Sequence, residues 1–143
     1  MWSLRNFSYR PDDYESEKAS NSYLMSVVAV MAGLPFPVVN LLATAFFYAA
    51  NRRARYFVRW HCMQALLSQV AMLAMNGPAL YWTLSIVFGG GTVTNLYLSY
   101  ILTIVFFNLL EFIATVYAAV QTRRGRHVVW WVFGPVADLV VKG

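Results

Sequence analysis

The sequence predicts an all-α, polytopic membrane protein, and three observations carry that prediction. The first is composition: over 143 residues the chain is 59% hydrophobic, 17% aromatic and only 12% charged, where soluble domains carry charge on about a quarter of their residues. The second is patterning, because the apolar residues gather into three long regions, at about 22–51, 61–88 and 96–121. The third is the placement of charge. Of the eleven Lys and Arg residues, seven form two clusters at the ends of these regions, Arg52, Arg53, Arg55 and Arg59 in one and Arg123, Arg124 and Arg126 in the other. A net charge of +5 therefore reflects orientation in a bilayer rather than nucleic-acid binding. The expected architecture is a bundle of about four membrane helices followed by an interfacial helix, forming one domain over 21–143 behind a polar and aromatic arm over 1–20.

The arm mixes Trp2, Phe7, Tyr9 and Tyr14 with charges of both signs and shows no sustained period, which predicts a loosely ordered or surface-lying segment. Its acidic residues Asp12, Asp13, Glu15 and Glu17 are unlike the basic flank of a cleavable signal peptide, so the first span is expected to stay in the mature protein. The first apolar region is longer than the ~20 residues one span needs, and Gly33, Pro35 and Pro37 break it. Either one kinked helix or a hairpin of two short helices fits. Each half of such a hairpin, at about 14 residues, reaches only ~21 Å, so it is re-entrant or tilted.

Between Arg52 and Gln69 the chain changes environment. Tyr56, Phe57 and Trp60 alternate with the arginines as expected of a headgroup-level segment, and Arg52, Arg53, Arg55 and Arg59, with Arg123, Arg124 and Arg126 of the second cluster, are candidate lipid-headgroup or partner contacts. His61, Gln64 and Ser68 follow at helical spacing on one face. Asn76, Gly77 and Pro78 predict a kink in the second region, and Gly89 to Asn95 an uncharged turn. The third region ends at the second basic cluster. Both clusters should then share one side, cytoplasmic by the positive-inside rule. The tail from Val128 is too short to span and is interrupted by Gly134, Pro135 and Asp138, which predicts an interfacial helix.

Glu111 is the single carboxylate within these regions, and a carboxylate at that depth costs several kcal/mol unless partnered. Counting helical rise from the basic ends places Gln69 and Asn40 at similar depth, with Asn108 on the face of Glu111. The expectation is one buried polar network of Glu111, Asn108, Gln69 and Asn40, joined nearer the surface by Gln64 and His61. Holding helices together is the ordinary role of such groups. His61 and His127 beside arginines are expected to be satisfied by water or headgroups. No spacing suggests a metal or cofactor site, Cys62 has no internal partner, and Gly89–Gly91 lacks the lysine of a phosphate loop.

The segment RYFVRWHCMQALLSQ, through Phe57, Val58, Arg59, His61, Gln64, Ala65 and Leu66, resembles a recurring segment of a family of small helical membrane proteins. That family includes the twenty-kilodalton subunit of the chloroplast inner-envelope translocon and bacterial relatives of unknown function. The resemblance implies a four-helix fold with both termini on the cytoplasmic or stromal side, favours the hairpin, and in the plastid branch implies a role in protein import. With no transit peptide visible, a bacterial inner membrane is the expected location. The function expected is that of a non-enzymatic membrane subunit, without cofactors, whose partners are the bilayer and other membrane subunits, in protein translocation or membrane-protein assembly. The alternative is a small oligomeric channel or transporter with Glu111 lining its path.

Overall fold

The computed structural model describes residues 2–6, 9–31 and 37–142. Among them lie five helices and a two-stranded ribbon: β1 (Trp2–Arg5), α1 (Asp13–Met31), α2 (Pro37–Ala50), α3 (Tyr56–Gly89), α4 (Asn95–Arg123), β2 (His127–Trp130) and α5 (Phe133–Val140). The break at Gly33–Phe36 lies outside the described residues. The helices on either side of it pack against each other, and Arg55, just beyond α2, reaches Glu15 in the first turn of α1 at 3.4 Å. The start of α1 and the end of α2 therefore share one end of the molecule, which selects the hairpin over the single kinked helix.

α1 starts nine residues before the first apolar region, inside what the sequence suggests is an irregular arm. The cause is a reciprocal cap. The Asp12 carboxylate accepts the Glu15 backbone N–H at 2.7 Å, while the Glu15 carboxylate accepts the Asp12 N–H at 3.2 Å, so two helix-end donors are satisfied at once. The arm is also tied down at its beginning, since β1 pairs antiparallel with β2 in the register Trp2 with Trp130 and Arg5 with His127. α3 runs unbroken through Pro78.

Two helices, α3 and α4, are long and apolar enough to cross a membrane, and α2 is a shorter apolar helix. At 1.5 Å per residue α3 extends about 51 Å, well beyond a ~30 Å hydrocarbon core. Burial divides it. From Phe57 to Met72 most positions are covered, whereas beyond that Ala79 is the described exception. α4 mirrors this, with Ala114 to Thr122 contributing most of its covered positions. The covered halves pack against α1, α2, α5 and the ribbon. The far halves present Tyr81, Phe88, Leu96 and Leu102, each at least 70% exposed, as lipid-facing surface requires.

α4 ends in a Schellman turn. Gly125 takes a left-handed φ of 76°, its N–H bonds the Thr122 carbonyl, and the Arg126 N–H bonds that of Gln121. The turn sends the chain straight into β2. That strand is buried at all four positions, so the tail begins as part of the core rather than as an interfacial segment. α5 then covers α3 with Gly134 and Ala137 while Trp131 and Leu139 remain outward and about 80% exposed.

Candidate functional site

The most concentrated polar chemistry lies at the basic end, where α1, α3, β2 and α5 meet. Gln64 fixes the arrangement. Its Oε1 accepts the Trp130 backbone N–H at 3.0 Å, which identifies its Nε2 as the donor to the Tyr23 hydroxyl (2.8 Å) and to the Val128 carbonyl (3.1 Å). With that amide proton on its oxygen, Tyr23 donates its own proton to His61 Nδ1 at 2.7 Å. A neutral His61 then carries its proton on Nε2 and donates it to His127 Nδ1 at 3.2 Å. Four side chains from three elements thus form one ordered chain of hydrogen bonds. Tyr23, His61 and Gln64 are at most 1% exposed and His127 is 3% exposed.

Around this chain, aromatic rings exclude water. Phe57 and Trp60 meet His61 edge-on, and Trp60 also packs on His127 with centroids 4.2 Å apart. Burial pushes the His127 imidazole down to about 4, the Arg5 guanidinium pushing the same way and the Asp138 carboxylate opposing it. Asp138 on α5 in turn accepts from Trp60 Nε1 at 2.8 Å and pairs with Arg5 at 3.0 Å. One carboxylate therefore joins β1, α3 and α5.

This placement corrects the expected position of both histidines. They are interior groups bonded to each other, and neither is an interface residue served by water or headgroups. Sequence separation hid the pairing, since the two stand 66 positions apart. His61 and Gln64 share a helical face in the sequence, but nothing local identifies Tyr23, Trp60 or Asp138 as their partners.

The single polar network expected around Glu111 is divided in the structure. Gln69 Nε2 and Thr115 Oγ1 both donate to Glu111 Oε1 at 2.9 Å. Asn108 pairs with Asn76 through two reciprocal amide bonds of 2.8 and 3.0 Å, and Thr83 meets the Tyr97 hydroxyl at 2.9 Å. These are successive rungs between α3 and α4. His61 and Gln64 belong to the basic-end cluster instead, and the buried Asn40 Oδ1 has no hydrogen-bond partner among the described residues. α2 lies against α3 and α1, away from the seam with α4, so equal depth did not bring Asn40 to Glu111.

The arginines act less uniformly than expected. Arg52, Arg53 and Arg124 are exposed. Arg55 pairs with Glu15, Arg123 lies 4.0 Å from Glu17, and Arg126 donates to Gln121 at 3.1 Å. Arg59 donates to the Lys142 carbonyl at 3.1 Å and so fastens the C-terminal end to α3. Among the described residues no group of three or more His, Cys, Asp or Glu side chains could hold a metal ion.

A family model described as the magnetosome magnetite crystal formation protein family, MamF/MmsF, matches residues 19–135. The chain belongs to the MamF/MmsF family. No curated protein and no solved structure matches it. Membership overturns the resemblance to the chloroplast translocon family: that resemblance rests on a short segment around Phe57 to Leu66, whereas the match covers most of the chain. The protein-import role falls with it. In this MamF/MmsF member the matched stretch contains the Tyr23, His61, Gln64 and His127 chain and the α3–α4 rungs. Arg5, Arg10 and Asp138 lie outside it.

Proposed function

We propose that this chain is a non-enzymatic integral component of the magnetosome membrane that supports magnetite crystal formation, with its basic end in the cytoplasm. Family membership over residues 19–135 is the observation that carries the reading. Two features agree with it. α3 and α4 are long and apolar enough to span, and the polar groups between them are paired with one another, which suits a scaffold better than a reaction centre. Gln69 and Thr115 both donate to Glu111 Oε1, which favours a packing role for this carboxylate over the alternative of a small oligomeric channel with Glu111 lining its path.

The test is deletion of the gene in a magnetite-forming bacterium, with crystal size and shape measured by electron microscopy and restored or not by the plasmid-borne gene. Smaller or misshapen crystals, corrected by the wild-type copy, are expected. Normal crystals in the deletion strain overturn the reading.

A further inference from the structure

The basic end carries a concavity that the reading above does not use. Residues of β1, Tyr9, Arg10 and the α4–β2 turn line an open pocket of about 550 Å³, with Leu4, Arg5, Arg126 and His127 among its walls. Its described lining contains three arginines and no Asp or Glu. Like charges gathered into one concavity repel and raise the local potential, an arrangement that is stabilised when an anion enters.

The three guanidinium groups are held differently. Arg5 is anchored through Nη1 to both Asp138 oxygens, at 3.0 and 3.3 Å, and ribbon register sets it opposite His127. Arg126 Nη1 is steadied by Gln121 at 3.1 Å. Arg10 makes no hydrogen bond or ion pair among the described residues and is exposed. Two anchored forks and one without a described polar partner suit an oxyanion with several acceptor oxygens. The pocket also lies at the end of the molecule that carries both arginine clusters, and its volume accommodates a phosphate together with a substituent.

We propose that this pocket is a phosphate-type oxyanion site, with Arg10 and Arg126 as its direct ligands and Arg5 and His127 forming its inner wall. The ligand is a phosphate, borne by an anionic lipid headgroup or free in solution. Arg5 and Arg10 lie outside the family-matched stretch, and Arg126 and His127 lie inside it. The site stands independently of any role in crystal formation.

The test uses the full chain in two arms. In nanodiscs of phosphatidylcholine, inorganic phosphate is titrated and heat is measured. In detergent, the phosphatidylglycerol that stays with the purified protein is counted. At least one arm should give saturable binding, weakened roughly tenfold or more by Arg10→Ala/Arg126→Ala, as loss of charge-assisted bonds predicts, and restored in part by the paired lysine substitutions. Binding in the first arm identifies free phosphate, and binding in the second alone identifies the headgroup. Arg52→Ala/Arg53→Ala removes the same charge from exposed positions of the same end and should leave the binding of inorganic phosphate in the first arm unchanged. Equal losses in the two double variants would mean a diffuse basic collar and overturn the proposal, as would absence of binding in both arms. Should Arg10→Ala/Arg126→Ala fail to fold, Arg10→Ala alone removes a side chain with no described polar partner, and unaltered binding in that variant overturns the proposal equally.

Discussion

Glu111 and His127 show how differently two polar residues are accommodated beside apolar helices. Glu111 Oε1 is the shared acceptor for Gln69 and Thr115, and an amide oxygen can take that place. Glu111→Gln should therefore leave thermal unfolding in detergent nearly unchanged, while Glu111→Leu strands two buried donors and should cost about 1–2 kcal/mol. Equal destabilisation by both would mean that the negative charge itself is needed. His127 is held neutral instead. With its folded value pushed down to about 4 from the ordinary 6.5, the unfolded state binds more protons between those limits. Stability is full above about pH 6.5 and falls as pH drops towards 4, by roughly 3 kcal/mol for this group. The groups facing it are Arg5 from β1, Asp138 from α5, His61 and Trp60 from α3, and Arg126 in its own turn. An unfolding midpoint measured from pH 7.5 to 4.5 should drop, and His127→Asn should flatten the dependence; an unchanged slope in that variant assigns the effect elsewhere. The sequence revealed Glu111 as a residue in need of partners and named Gln69 correctly, because helical rise from two basic ends measures depth. It misjudged the histidines because adjacency to arginines says nothing about what a strand 66 residues later will cover.

At the level of elements, α5 and the ribbon are where docking is tightest. A Cβ placed on Gly134 would overlap the side chain of Val129, whose nearest atoms belong to a stiff β-branched residue. Gly134→Ala should push α5 away from β2 and lower stability by about 1–3 kcal/mol, read as a lower unfolding midpoint together with greater protease sensitivity at the C-terminal tail. An unshifted midpoint would show that α5 moves freely over the core. The helices were legible because apolar runs of fixed length between charge clusters admit few other forms in a bilayer. The earlier start of α1 was available too, in the Asp12 to Glu15 spacing of a capping box. The ribbon was not. Its strands are four residues each and their partners lie at opposite ends of the chain; β1 alternates apolar and polar over Trp2–Arg5 only, too short a run to stand out, and β2 does not alternate at all.

For the molecule as a whole, the basic clusters lie at one end and the uncharged turn between α3 and α4 at the other. Cysteines introduced at Arg53 and Arg124 should be labelled by an impermeant thiol reagent from the same face of sealed vesicles, and one at Thr92 from the opposite face, with the buried Cys62 silent. Labelling of Arg53 and Arg124 positions from different faces would refute the common side. The covered halves of α3 and α4 sit among α1, α2, α5 and the ribbon, whereas their far halves stand as a bare pair. A body of that outline is a wedge, broad at the basic end and two helices wide at the other. With α3 and α4 crossing a bilayer, a body wider at its basic end would crowd that side more than the other and favour a surface bulging towards it.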